Sequence, residues 1–388
     1  MMEKVRLGDI ASVITKGTTP TTLGYDFVEA GVNFVKIESI TENGEFLTDK
    51  FAHITEECDR KLSRSQLQRS DLLFSIAGAI GRTAIVTEDI LPANTNQALA
   101  IIRVPEGIVD YSYLKYVLQS PNIVEQFEKK KQGVAQLNIS LKDIGGFLIP
   151  MCTTDEQKSI VDTMDKVSEL IALRKEQLAK LDQLVKSRFI ELFGDPVYNN
   201  NGLLTKKLCE LGSLDRGRSQ HRPRNDPKLL NGPYPLIQTG EVASAGLYIT
   251  EYKNTYSELG LQQSKMWKAG TLCITIAANI AQTAILTFDA CFPDSVVGFV
   301  PNDAVSATYM HYWFGFFQKI LEEQAPQVAQ KNINLKILSD LDVMVPTKEQ
   351  QEQFAAFVEQ TDKSKSAIQQ SLDKLELLKK SLMQEYFG

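Results

Sequence analysis

"VAQLNISLKDI" (Val134–Ile144) and, far along the chain, "VAQKNINLKIL" (Val328–Leu338) say nearly the same thing twice. The repetition keeps its phase over long distances: Gln136 and Gln330 stand 194 positions apart, and so do Asn138 and Asn332, Leu181 and Leu375, and Gly194 and Gly388. The chain has 388 residues, so it reads as two copies of one unit. Upstream, with small gaps, "SIAGAIGRTAIV" (Ser75–Val86) aligns with "TIAANIAQTAIL" (Thr275–Leu286). Between these anchors the copies diverge, "GTTPTTLGYD" (Gly17–Asp26) facing "GRSQHRPRND" (Gly217–Asp226). A frame kept while its loops change is the pattern expected of one recognition module used for two targets.

Each unit splits into a globular front and a helical tail. In the front, "NFVKIESI", "DLLFSIAG", "TAIVTE" and "ALAIIRV" are short β-branched runs bounded by Gly, Pro, Asn and Asp, which predicts strands. "DYSYLKYVLQSPNIVEQFEKKK" predicts a helix that Pro121 divides. From Glu156 to Phe193, Ile160, Met164, Val167, Ile171, Leu178, Leu181, Val185 and Leu192 fall on alternating steps of four and three, with gaps at Arg174 and Arg188. The second tail repeats the pattern with Phe354, Val358, Ile368, Leu372, Leu375, Leu382 and Tyr386, interrupted at Thr361, Lys365 and Lys379. Both are coiled-coil seams.

A helix of that length reaches on the order of 55 Å and cannot bury its stripe alone. The nearest partner for one tail is the other, and chain order makes them antiparallel. The expected fold is α+β, two similar heads separated by two long helices, a dumbbell with approximate two-fold symmetry. The boundaries read as a head over 1–154, a helix over 155–194, a second head over 195–347 and a second helix over 348–388. The repeated words belong to the hinge between head and helix, where Gln136, Asn138, Gln330 and Asn332 satisfy backbone groups.

Composition narrows the class. A hydrophobic share of 43% with 23% charged residues fits a globular chain rather than a disordered one. No apolar run approaches the roughly 18 residues of a membrane span, and the start "MMEKVRLGDI" lacks a signal-peptide core, which predicts a cytoplasmic protein. Cys58, Cys152, Cys209, Cys273 and Cys291 are scattered without C-x-x-C spacing, so they predict reduced thiols. The net charge of -6 is unlike that of a simple phosphate-binding domain, so any nucleic-acid surface must be a local patch.

Two fronts, each followed by a Q-x-N-I segment, a strand ending near Pro150 or Pro346, an E-Q pair (Glu156, Gln157; Glu349, Gln350) and a long helix closing on "LFGDP" or "EYFG", together resemble the specificity (S) subunit of a type I restriction-modification system. The resemblance covers the whole chain. It implies that the fronts are target recognition domains, each reading one half of a bipartite site in double-stranded DNA, while the helices set the distance between half-sites. It also implies two methyltransferase (M) subunits docked on the helices, and nuclease-translocase (R) subunits added to them. No catalysis is implied for S itself. The assembled complex would be an adenine-N6 DNA methyltransferase and, with R, an ATP-dependent endonuclease, with S-adenosylmethionine and ATP with Mg held by the partners and no cofactor in this chain.

The richest candidate DNA contact is "DRGRSQHRPRND", where Arg216, Arg218, Gln220, Arg222 and Arg224 share a Gly- and Pro-containing stretch with His221. Arginine forks onto guanine or phosphate and glutamine pairs with adenine. The plain alternative is a solvated loop whose arginines meet surface carboxylates. In the first head the matching loop offers Lys16 and Thr18, and basic residues come later in "DRKLSRSQLQRSD" as Arg60, Arg64 and Arg69. That stretch supports either a basic stripe over DNA or an exposed helical face paired with Glu56, Glu57 and Asp71. Arg82 and Gln282 occupy matching places with different chemistry, as two half-sites require, although a turn position free to vary reads the same way.

Catalytic readings find little. "NGPY" (Asn231–Tyr234) resembles the N-P-P-Y site of adenine-N6 methyltransferases but departs at Gly232, and no glycine-rich strand-to-helix turn accompanies it, so a plain turn between strands is expected. "GAIGR" lacks the ending of a phosphate loop, and His53, His221 and His311 have no metal or triad spacing. Two non-catalytic rivals stand beside the specificity reading: a coiled-coil scaffold indifferent to DNA, and a stand-alone DNA-binding regulator, for which no helix-turn-helix signal is found.

Overall fold

The computed structural model describes residues 3–128, 138–277, 280–324 and 333–388, with the backbone alone at 319–324. Gln136, Gln330 and Asn332 lie outside the described residues. The chain divides into unit 1, Met1–Lys175 with Gln370–Gly388, and unit 2, Glu176–Gln369.

Unit 1 carries β1 (Glu3–Arg6), β2 (Val13–Lys16), β3 (Val32–Val35), β4 (Ala52–Ile54), β5 (Leu72–Ser75), β6 (Thr83–Ile85), β7 (Ala93–Thr95), β8 (Leu99–Arg103) and β9 (Leu148–Met151). They form a four-stranded sheet β2-β8-β5-β6, a three-stranded sheet β4-β3-β7 and the antiparallel pair β1-β9. Alternation builds two cores from one sheet. Leu72, Phe74, Ala100 and Ile102 enter one, and Leu73, Leu99 and Ile101 enter the other. With both faces covered, β5 and β8 read as continuous apolar runs.

Unit 2 carries β10 (Thr205–Lys207), β11 (Gly212–Arg216), β12 (Leu230–Leu236), β13 (Tyr248–Ile249), β14 (Asn254–Tyr256), β15 (Met266–Trp267), β16 (Leu272–Thr275), β17 (Thr283–Leu286), β18 (Ala290–Cys291), β19 (Val296–Pro301) and β20 (Asp342–Met344). Its order β11-β19-β16-β17 matches that of unit 1, with β13 added in parallel at the edge. The order β14-β12-β18 matches β4-β3-β7, with β15 added, and β10-β20 matches β1-β9. One topology is built twice.

The "NGPY" stretch is not a turn between strands. It lies inside β12, whose register against β14 shifts between Leu230 and Tyr234. Asn231 takes a left-handed φ of 62°, and a Cβ on Gly232 would stand 2.4 Å from the Cα of Ser257. The strand bulges between Leu230 and Tyr234, and the close approach of the Ser257 backbone leaves room for no side chain at position 232. The helix after β8 is divided as expected, into Tyr111–Leu118 and Pro121–Glu128.

Two 40-residue helices, Thr154–Phe193 and Lys348–Phe387, each begin in one unit and end in the other. In unit 1, Ile160 and Met164 of the first share a core with Met383 and Phe387 of the second, while Lys175 pairs with Glu376 at 3.0 Å. In unit 2, Val185, Phe189 and Phe193 pack with Phe354 and Val358, and Asp182 pairs with Lys365. Late residues of one helix meet early residues of the other, so within each unit the helices run antiparallel. Along the seam Val167 and Leu372 are also buried, and Ile171, Leu178, Leu181, Leu192, Ile368, Leu375 and Leu382 are half-buried. Phe189, Phe193, Met383 and Phe387 lie off the four-three spacing and are buried because each head covers a second face of the helix end. The polar gaps stay on the seam. Thr361 bonds the Phe357 carbonyl at 2.9 Å, and the Arg188 guanidinium lies 5.8 Å from the Phe357 ring centre.

The helix starts correct one alignment. Thr153 and Glu156 cap the first helix, and Thr347 and Gln350 cap the second. One position on, Gln157 accepts from the Asp110 N–H and Gln351 from the Ser306 N–H, both at 2.8 Å. The counterparts are therefore Glu156 with Gln350 and Gln157 with Gln351, one residue beyond the E-Q reading. Asn138 forms an isolated bridge with Ala77, and Ile139 and Ile333 donate to the carbonyls of Ile76 and Ile276. Among the described residues, no helix is long and apolar enough to cross a membrane.

Candidate nucleic-acid interface

The divergent loops leave the frame at two glycines for one steric reason. A Cβ on Gly17 would lie 1.7 Å from the Thr95 carbonyl oxygen, and one on Gly217 would lie 2.3 Å from that of Phe292. Each loop is thus pressed against the chain between the second sheet and the first. In unit 2 this brings the arginines onto one residue. Arg224 Nη2 donates to Asp294 Oδ1 at 2.6 Å, Arg222 Nη2 lies 3.7 Å from Asp294 Oδ2, and Arg216 Nε donates to the Asp294 carbonyl at 3.1 Å.

The rest of the loop is held by its main chain. The backbone N–H groups of Gln220 and His221 both donate to Gln263 Oε1, at 2.7 and 3.1 Å, which leaves the Gln220 side chain exposed. Arg218 is exposed and makes no ion pair among the described residues. Beside the loop lies a cavity of about 310 Å³ lined by Ser219, Arg224, Asn225, Gln238, Thr239 and Asn254. The hydroxyl of Ser219 is buried there without a protein partner among the described residues. Lys265 closes the other flank, 2.8 Å from Asp215 and 3.9 Å above the Trp267 ring, which itself stacks on Phe292. Its ammonium holds the Asp215 carboxyl below the usual carboxylate range.

Unit 1 builds the same loop without charge. Lys16 is exposed at the end of β2, Thr18 is half-buried, and Thr19 Oγ1 donates to Gln97 Oε1. Register makes Gln97 the counterpart of Asp294, because Ile76 bonds Ala98 as Ile276 bonds Ser295. Of the basic stretch, only Glu56–Lys61 is α-helical, and there Arg60 pairs with Glu56 at 3.7 Å. Arg64 and Arg69 are exposed and make no ion pair among the described residues.

Residues 1–183 and again 202–377 match the type I restriction modification DNA specificity domain. The chain belongs to this family. Over 174 residues it is 29% identical to the type I restriction enzyme EcoBI specificity subunit of Escherichia coli, a match taking in 43% of this chain and 36% of that relative, so the chain spans about a third of the relative's length. Its fold is similar to a chain from a structure of type I R-M complex assembly and conformational transition, with a TM-score of 0.63, 18% identity and coverage of 99% and 97% of the two chains. It is also similar to the type I restriction-modification S subunit from M. genitalium, with a TM-score of 0.54, 13% identity and coverage of 100% and 96%.

The remaining candidates sit elsewhere in the two specificity domains. Arg82 Nη1 donates to the Ile40 carbonyl at 3.1 Å, so its side chain is engaged with main chain. Gln282 lines a separate cavity of about 430 Å³ with Asp182, Lys186, His311 and Lys365, none of which belongs to the arginine loop. Sequence reading missed Asp294, Lys265 and Trp267. A signal for Asp294 exists in the repeat itself, where "NQAL" (Asn96–Leu99) and "PDSV" (Pro293–Val296) lead into matching strands, but only register aligns them. Among the described residues, no group of His, Cys, Asp and Glu could hold a metal ion.

Proposed function

We propose that this chain is the DNA-reading subunit of a type I restriction-modification complex in the cytoplasm, each unit reading one half of a bipartite target. The observation that carries it is a specificity-domain frame built twice with loops of different chemistry, arginines in one and threonines in the other. Arg216, Arg218, Gln220, Arg222, Arg224 and Lys265 form the contact surface of unit 2. Lys16, Thr18, Arg64 and Arg69 serve unit 1. The long helices set the spacer and dock two methyltransferase subunits, a role suited to the exposed Leu170, Leu173, Leu184 and Leu377 along them. Nuclease-translocase subunits join through these. The chain itself contributes no catalysis, and S-adenosylmethionine and ATP with Mg belong to the partners.

Co-expression with the adenine methyltransferase subunit of the same host, followed by long-read mapping of N6-methyladenine, tests this. A bipartite motif that appears only when the chain is present supports it. Methylation independent of the chain would favour a scaffold, and duplex binding that needs no partner would favour a stand-alone regulator.

A further inference from the structure

Two arginines on one carboxylate, with a third on the carbonyl of the same residue, is an unusual use of a loop proposed to meet phosphates. The Asp294 carboxylate offers a guanidinium the same two-oxygen acceptor that a DNA phosphate offers. It takes a short bond from Arg224 and stands beside Arg222, while the carbonyl of the same residue fixes Arg216. One of the loop's positive charges is cancelled, and the fork is held in place before any DNA arrives.

The internal repeat supplies an independent observation. At the matching position unit 1 has Gln97, which holds Thr19. A charged loop is latched by a charged residue and a neutral loop by a neutral one, although the frame around both is shared. The latch therefore varies with the loop it holds and not with the fold.

We propose that Asp294 is a specificity-determining residue of unit 2, an internal phosphate stand-in that keeps the Arg222 and Arg224 fork from non-specific duplex and yields it only to a half-site with base-edge acceptors. The inference rests on the DNA-reading assignment above. A phosphate alone exchanges one oxyanion for another, so random sequence gains little. A cognate half-site adds base contacts and tips the exchange, which makes Asp294 a device acting against wrong partners.

Asp294→Asn keeps the shape and removes the charge. Its side chain is 37% exposed, and exposed ion pairs contribute little to folding, so the variant is expected to fold. The full-length chain, assembled with the methyltransferase subunit of its host, would be titrated against a fluorescent random-sequence duplex over a salt series. Binding should tighten on the order of tenfold at low salt, and the slope of log K against log salt should steepen by about one. Discrimination in favour of the mapped target should narrow. In the Arg222→Ala, Arg224→Ala background the same substitution should change nothing. Unchanged affinity and slope for Asp294→Asn would overturn the proposal, as would a gain that persists without the two arginines. If removing the two arginines alone leaves binding to the mapped target untouched, the assignment of this loop to DNA fails, and the latch falls with it.

Discussion

Single positions show how the two units solve one packing problem with different chemistry. In unit 1, Asp71 is fully buried and takes a forked pair from Arg103 at 2.6 and 2.7 Å, plus the Gln68 N–H at 2.7 Å. The register places Thr271 and Val300 at the matching points of unit 2. Breaking a buried pair leaves a charge unpaired, whereas replacing both partners is close to neutral. Asp71→Ala should therefore destabilise the protein by about 3 kcal/mol, and Asp71→Thr with Arg103→Val should recover most of it. Urea unfolding of the three proteins checks this, and a double variant no better than the single one would refute it. His311 offers a second test. Burial pushes its imidazole down to about 4, with Thr283 Oγ1 3.0 Å from Nδ1 and the charge of Lys365 acting in the same direction as burial. Because the folded-state value lies below the ordinary 6.5, stability is fully present above that pH and lost as pH falls toward 4. The loss between pH 7 and pH 5 should be about 2 kcal/mol. His311→Asn should remove that component, measured as the difference in urea midpoint between the two pH values, and an unchanged difference would count against it.

Elements are where sequence reading succeeds and where it stops. The four-three spacing found both long helices because a seam is a local property of one helix, and the polar interruptions at Arg188, Thr361 and Lys365 remain on it. Phe189 escaped that reading. One turn from Phe193 at 4.8 Å, its ring centre also lies 5.5 Å from that of Tyr309 in the head and 5.4 Å from that of Phe354 on the other long helix, two contacts that only the tertiary fold creates. The same holds for the arginine loop. Its residues were legible as a basic stretch with turn formers, but their carboxylate partner lies some 70 positions away, at Asp294, brought near by sheet order. "NGPY" failed for the opposite reason: its composition is that of a turn, and β14 recruits the bulged backbone into a strand. Arg60 shows a local rule working, since an i,i+4 carboxylate claims it, and Arg64 and Arg69 beyond the helix end keep their charges open.

At the scale of the whole chain, each long helix gives its first half to one unit and its second half to the other. Residues added between Lys175 and Glu176 of the first helix, and between Gln369 and Gln370 of the second, therefore fall where the chain passes between units. Seven residues in each helix preserve the seam, because the apolar stripe returns to phase after a heptad. They lengthen a helix by about 10 Å, which corresponds to no more than about three base pairs of duplex. If the helices set the spacer, the methylation motif of such a variant should keep both half-sites and separate them further, up to that limit. Insertion in one helix alone puts the two seams out of step and should reduce methylation without creating a longer motif. Long-read mapping of N6-methyladenine distinguishes these results, and an unchanged spacer in the paired variant would show that the distance between half-sites is set elsewhere than in the helices.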